Sequence, residues 1–372
     1  ANYKKYILNF KNPSGTSRGV LRTKETWFII LDKKGKKGIG ETGLFRGLSI
    51  DDFSNYEEKL SWACQNINLG LDFLLKELWA FPSIQFGLEQ AFLSLKSETS
   101  FELFPSQFTK GKKSIPINGV VGDQQAATIG QCCFSPGSVK STYGTGAFVL
   151  MNTGSKKIFS KHKLLTTICY RINNKTTYAL EGSIFTAGAG VQWIRDKLKL
   201  INSAYETEKI AKSRKNNNGV YLVPAFTGLG APYWSPNSRG LLSGLTRNTD
   251  WKDIVRAVLE SVAYQSFDLF KAMNKDGLKP REVKVDGGMV LNNWFSQFLS
   301  DILDVKVIRP KINETTALGA AFVAGLYIGE FKSLKSISRR WKIDKRFDPK
   351  INKSSRIKLL KGWEQAIKRT LI

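Results

Sequence analysis

Three glycine-bearing turns, each entered from a strand-like apolar run, constrain what the larger part of this chain can fold into. Ile115–Val121 runs into Gly122-Asp123 and then a helical stretch, Gln124–Cys133. Val139–Thr142 and Phe148–Asn152 flank Gly144-Thr145-Gly146 and read as a hairpin. Val283–Asp286 enters Gly287-Gly288, followed by a helix over Asn292–Leu303, a strand over Val305–Ile308 and a helix over Thr315–Ile328. Thr166–Arg171 and Thr177–Glu181 form a further strand pair, and Gly190–Leu200 and Asp250–Met273 read as amphipathic helices. Strand, glycine turn and helix in succession predict an α/β domain with its ligand groups at strand ends.

The first hundred residues follow a different order, strands and then helices. Tyr3–Phe10 and Trp27–Leu31 read as strands, with a Pro-Ser-Gly turn at 13–15, a turn around Gly35, and a third strand from Gly38–Glu41. Asp51 and Asp52 are placed to cap a helix running to about Asn66, and Leu69–Leu78 and Ser83–Leu95 read as two more. Residues 98–113 read as a linker. With 372 residues, 42% of them hydrophobic, the chain can bury two or three cores. No apolar run reaches the roughly 18 residues of a membrane span. Cys64, Cys132, Cys133 and Cys169 form no CxxC pair, and His162 stands alone, so neither a disulfide framework nor a zinc site is expected. The expected location is a reducing cytoplasm. The net charge of +26 is concentrated after residue 118, where 40 Lys/Arg face 19 Asp/Glu. It is scattered and carries no nucleic-acid motif, so a solvated basic surface with weak, salt-sensitive polyanion binding is expected rather than a specific nucleic-acid partner.

Each turn has two readings. Gly144 and Gly146 could let backbone amides approach a phosphate, or could serve a tight hairpin through positive φ. Gly287-Gly288 could leave a flat surface for adenine or ribose, or simply close a strand–helix turn. Asp123 could be a helix N-cap, or a general base for an alcohol with Gln124 holding a hydroxyl. The two roles of Asp123 are compatible only if one carboxylate oxygen stays free.

Taken in order, Gly-Asp-Gln-Gln-Ala-Ala (122–127), Thr-Tyr-Gly-Thr-Gly (142–146), Pro-Ala-Phe-Thr-Gly-Leu-Gly-Ala-Pro-Tyr-Trp (224–234), Val-Asp-Gly-Gly (285–288) and Glu-Thr-Thr-Ala-Leu-Gly-Ala-Ala (314–321) resemble the glycerol kinases of the FGGY carbohydrate-kinase family, over about residues 117–372. The resemblance implies an actin-like, ribonuclease-H-like ATPase fold, with ATP and Mg²⁺ as cofactors and glycerol as acceptor. It matches Asp123 to the catalytic base that takes the glycerol proton. Gln124 and Phe148 match glycerol-site residues. Thr145, Gly188, Gln192, Gly288 and Asn292 match nucleotide-binding positions. It assigns no metal ligand and leaves the oligomeric state open.

Residues 1–119 resemble something else. Tyr3–Arg18, Gly19-Val20-Leu21, Lys24–Ile29, Gly38–Glu41, Gly47–Asp52 and Pro82–Glu89 are similar to the capping domain of o-succinylbenzoate synthases, in the enolase superfamily. Gly15–Arg18 would then be a capping loop. A rival match of Ser14–Arg18 to the kinase phosphate loop lacks that loop's leading aspartate; Asn12-Pro13 stands near its place. The expected layout is therefore a small α+β capping-type domain over 1–100, a linker over 101–114, and a kinase-type α/β domain over 115–372. Such a chain looks chimeric, with half of the kinase clamp missing. Its phosphorylation of glycerol to glycerol 3-phosphate is expected near background, with an inactive nucleotide-binding remnant or a non-functional fusion as the alternatives.

Overall fold

Lys34 and Gly35 both adopt positive φ, 52° and 81°, and close the hairpin between β2 (Gly19–Lys33) and β3 (Lys36–Leu44) in two residues. Positive φ at both central positions is the turn whose twist matches paired strands. With β1 (Asn2–Thr16) these strands form an antiparallel sheet in the order β1-β2-β3. The computed structural model describes residues 1–16, 19–47, 49–98, 102–104, 106–109, 111–114, 117 and 119–371. It divides into two compact units, Ala1–Pro116 and Ile117–Ile372.

In the first unit Trp27, Ile29 and Leu31 alternate onto the buried face of β2, as a period of two demands. They pack against α1 (Tyr56–Gln65), α2 (Leu71–Glu77) and α3 (Pro82–Lys96) through Leu60, Leu74, Ile84 and Leu88. Two expectations are corrected here. Pro13-Ser14-Gly15 is not a turn but part of β1, where the register shifts between Asn9 and Ser14; Ser17 and Arg18 of the expected capping loop lie outside the described residues. Asp51 and Asp52 do not cap α1, which starts four residues later. The buried Asp51 instead accepts from the N–H (2.8 Å) and hydroxyl (2.6 Å) of Ser83 and caps α3 from a distance. Asp52 pairs with Arg46 at 2.6 Å. The described residues between 98 and 114 carry neither helix nor strand.

The second unit is built on a seven-stranded mixed sheet. Its strands are β4 (Val139–Tyr143), β5 (Ala147–Gly154), β6 (Leu165–Ile172), β7 (Lys175–Ile184), β10 (Glu282–Asp286), β11 (Lys306–Pro310) and β12 (Ile343–Phe347), in the order β12-β11-β10-β4-β5-β7-β6. β4, β10 and β11 run parallel, and β5, β7 and β6 continue the sheet antiparallel, with β7 between β5 and β6. A separate ribbon pairs β8 (Tyr221–Val223) with β9 (Leu241–Ser243).

Helices cover both sheet faces. On one lie the 25-residue α7 (Trp251–Lys275), α8 (Asn293–Leu303) and α11 (Lys353–Thr370), sealing Val139, Val149, Val283, Val285, Leu269, Phe295 and Trp363 into the main core. α7 starts where Asp250 and Asp253 cap each other's backbone N–H groups, a reciprocal N-terminal box. On the other face lie α4 (Asp123–Gly130) and α9 (Thr315–Tyr327), with the short α10 (Leu334–Ser338) beside them. α5 (Gly188–Asp196) and α6 (Glu206–Lys212) pack at the end of α7.

The strand expected over Ile115–Val121 does not form in its described residues. Ile117 and Val120 are 74% and 88% exposed, with no strand beside them. The helix expected over 190–200 is shifted to 188–196, and that expected to reach Cys133 stops at Gly130, where Cys132 turns to positive φ. Among the described residues no helix is long and apolar enough to cross a membrane.

Candidate active site

β4 and β10 lie side by side and parallel, with Asp286 opposite Thr142, so both strands end at the same edge of the sheet. Each then runs into glycine. At Gly287 φ is +93°, and a Cβ would fall 2.4 Å from the carbonyl oxygen of Tyr143, so only glycine fits. Gly144 and Gly146 do not take the positive φ expected of a hairpin turn. Gly146 is required by crowding instead: its Cβ would meet the Ile184 carbonyl oxygen at 2.6 Å, and that of Gly188 would meet the Gly144 oxygen at 2.6 Å. The first turn of α5 therefore rests on the β4–β5 hairpin. The N–H groups of Ala187 and Ala189 donate to Thr145, and that of Gly188 donates to Gly144, at 2.9–3.0 Å. These orphan amides are satisfied by the hairpin.

A cavity of about 370 Å³ opens between the hairpin, α5, α6 and the Gly287-Gly288 turn. That is within the range of small-molecule sites. Thr145, Gly188, Gln192, Gly288 and Asn292 all line it, so residues spread over 148 positions of sequence meet on one wall. Gly288 leaves the wall flat, since a Cβ there would meet nothing within 4 Å. Asn292 is held rigidly. Its Oδ1 caps α8 by accepting from Phe295 N–H at 2.9 Å, and its Nδ2 donates to Thr207 at 3.2 Å. Four polar lining residues escaped the sequence reading: Arg195, Tyr205, Thr207 and Glu208. Arg195 lies one helical turn beyond Gln192, a spacing that signals a shared face; Tyr205 and Glu208 carried no such signal. Burial disfavours the charged form of Glu208. Lys212 at 2.5 Å and the Asn293 N–H outweigh it and hold the carboxyl below its usual range.

Asp123, Gln124 and Phe148 lie outside this cavity, on the α4 side of the same strands. Asp123 is not the N-cap of α4. Gly122 holds that position, and Asp123 is the first helical residue. Its Oδ1 accepts from Gln124 N–H at 2.8 Å, and its Oδ2 has no partner among the described residues. The carboxylate is exposed, so one oxygen is free for chemistry. Gln124 Oε1 accepts from Lys140 Nζ, which also donates to Thr142 Oγ1 at 3.2 Å. Phe148 pairs with Thr142 across the hairpin and is 37% exposed. The hairpin thus carries both sets: Thr142 and Phe148 beside Asp123 and Gln124, and Thr145 at the cavity.

Lys140, the second residue of β4, is fully buried. Burial pushes its pKa down, while Asp286, Glu181 and Asp123 favour the charged form. Glu181 is pushed up by burial, with Lys140 opposing. A lysine charge in such a place stays buried only when partnered. Asp286 is buried as well and accepts from Gln131 Nε2 and Thr315 Oγ1, both at 2.7 Å, joining the end of β10 to α4 and α9. The single histidine, His162, bonds Asp276 at 2.8 Å. Burial pushes the thiols of Cys132, Cys133 and Cys169 up to about 11, 12 and 12, so they are packing groups rather than nucleophiles.

Residues 139–327, which hold the hairpin, the cavity and both glycine turns, match the C-terminal domain of the FGGY family of carbohydrate kinases. The chain belongs to that family. The seven-stranded sheet with its flanking helices is similar to the actin-like ATPase fold of FGGY kinases. Glycerol kinase from Plasmodium falciparum, solved with ADP, superposes with a TM-score of 0.66 at 43% identity, over 72% of this chain and 54% of that one. Glycerol kinase of Marinomonas is 58% identical over 255 residues, 68% of this chain and 52% of its own length. Glycerol kinase 1 of Pseudomonas aeruginosa is 55% identical over 256 residues, 69% of this chain and 52% of its own. The chain spans about half the length of the curated relatives it matches.

The cleft offers flat glycine walls and rigid polar groups. Among the described residues no three or more His, Cys, Asp or Glu side chains gather as a metal cage.

Proposed function

We propose that residues 117–372 form the nucleotide-side lobe of a glycerol kinase-type phosphotransferase, binding ATP or ADP in the cavity and presenting Asp123 as base to the acceptor alcohol. One observation carries this reading: Thr145, Gly188, Gln192, Gly288 and Asn292 converge on one cavity, while Asp123 keeps a free oxygen beside the same hairpin. In the proposed reaction the acceptor hydroxyl gives its proton to Asp123 Oδ2 as its oxygen attacks the terminal phosphorus. The bond from that phosphorus to the bridging oxygen breaks and ADP leaves. The glycine walls let the nucleotide approach the backbone, and Thr145 supplies a hydroxyl donor.

Turnover by this chain is proposed to stay near background. Phosphoryl transfer is governed by positioning and preorganised charge, and a lobe acting on one side of the phosphates forfeits much of it. Residues 14–16, compared above with a phosphate loop, lie in β1 of an antiparallel sheet and bring no aspartate. The kinship of residues 1–119 to enolase-type capping domains is likewise a proposal, supported by the order of three strands and then helices in the first unit. Single sequencing reads spanning the codons for residues 100–130 in the source DNA test the fusion.

Calorimetric titration with ADP, alongside an assay of glycerol 3-phosphate formation, tests the main reading. Saturable ADP binding with background turnover supports it. No ADP binding, or turnover at ordinary enzyme rates, overturns its first or second half.

A further inference from the structure

Gln124 and Asp123 are neighbours at the start of α4, yet only one end of the Gln124 amide is free. Its Oε1 is taken by the buried Lys140 ammonium, whose second bond goes to Thr142 Oγ1. An ammonium has donors and no acceptor, so the group facing it must be the amide oxygen. Gln124 Nε2 has no partner among the described residues and is not a sealed, unsatisfied atom, so its two N–H donors are open to solvent. Next to it, Asp123 offers a free acceptor, Oδ2. Lys140 itself is held from several sides: Asp286 on β10, Glu181 on β7 and Asp123 on α4 all favour its charge.

We infer that Lys140 is a positioning residue that fixes the hydrogen-bond polarity of the acceptor site. It locks Gln124 as a donor beside Asp123 as an acceptor. A neutral alcohol hydroxyl answers both, its lone pair toward Gln124 Nε2 and its proton toward Asp123 Oδ2. The arrangement selects the hydroxyl orientation in which the proton already points at the base. This rests on the acceptor site proposed above and adds the residue that sets its polarity.

The test uses the full chain labelled with ¹⁵N-glutamine, with glycerol as the probe. The Gln124 side-chain amide pair is identified by its absence in Gln124→Glu. In Lys140→Met that pair is expected to move toward the values of a freely rotating amide, and an unchanged pair overturns the inference. Because Lys140→Met also disturbs a buried network, Gln124→Glu is the decisive second arm. Its carboxylate still meets the Lys140 ammonium, so the fold is kept, but the outward donors are gone. Saturation transfer to glycerol is expected to fall at least tenfold, with the ADP dissociation constant within twofold of wild type. Glycerol binding equal to wild type in Gln124→Glu overturns the inference. Loss of ADP binding in the wild-type chain would instead overturn the nucleotide reading, and the ligand-free Gln124 amide signal still tests the role of Lys140.

Discussion

A Cβ on Gly319 would stand 1.8 Å from the carbonyl oxygen of Ala126. Nearby, Gly130 faces the Thr315 oxygen at 2.0 Å in the same sense, so α4 and α9 touch backbone to backbone. α4 begins with Asp123, and α9 begins with Thr315, whose hydroxyl bonds Asp286 at the end of β10. This contact fixes where the carboxylate of α4 stands beside the sheet. Gly319→Ala forces the helices apart against backbone atoms that cannot rotate away. The expected cost is about 1–3 kcal/mol, in the range of overpacked cores. A thermal melt should show the Tm lowered by several degrees, and a Tm unchanged from wild type would contradict the contact.

Gly288 is the opposite case. Nothing lies within 4 Å of a Cβ built there, and the position lines the cavity. Gly288→Trp should therefore fold normally and fill the nucleotide space. ADP affinity is expected to drop at least a hundredfold by calorimetry, with Tm within about a degree or two of wild type. Retained affinity would move the nucleotide away from this wall.

Asp286 serves the fold more than the chemistry. It is 2% exposed and accepts from the buried Gln131 and Thr315 side chains. Asp286→Ala leaves both donors without that acceptor. An unsatisfied buried polar group costs about 1–3 kcal/mol, so the loss should rival that of a large cavity. Asp286→Asn keeps an acceptor oxygen and should lose less. Urea denaturation midpoints of the two variants give the comparison, and equal midpoints would show that the two bonds contribute little.

The strand–glycine–helix rhythm was legible because each part has a local cause: apolar runs with period two, glycines where backbones meet, and side-chain caps such as Asp250 and Asn292. The eight candidate residues were also legible, but through resemblance; no spacing reveals that residues 145 and 292 share a wall. What escaped was non-local. Asp51 carries the local signature of a cap for the next helix, yet its partner Ser83 lies 32 residues on. Ile115–Val121 has the composition of a strand, but among its described residues Ile117 and Val120 stand exposed and outside any strand. Gly146 answers to crowding by the Ile184 carbonyl at the end of β7 rather than to its own φ, a constraint set by a strand far away in sequence. Lys140 reads as one more lysine among 57 Lys/Arg until the sheet buries it.

Asp268 gives the chain a pH dependence whose sign can be stated in advance. It lies on α7, beneath α11, and its Oδ2 accepts from Trp363 Nε1 at 2.8 Å. Burial pushes its carboxyl up to about 6, against the lowering pull of Trp363 and Tyr233. The folded state thus favours the neutral acid more than the unfolded chain does. That contribution is fully present below pH 4 and is lost as the pH rises through about 6. The loss amounts to roughly 3 kcal/mol at neutral pH. Asp268→Asn keeps an acceptor for Trp363 and carries no charge at any pH. It should therefore be more stable than wild type at pH 8 by an amount of that order, with the advantage shrinking toward zero at pH 4. Urea midpoints of the two proteins at both pH values measure the difference directly, so charges common to both cancel. An advantage independent of pH would show that Asp268 is ionised in the fold and held by its partners rather than neutralised by burial.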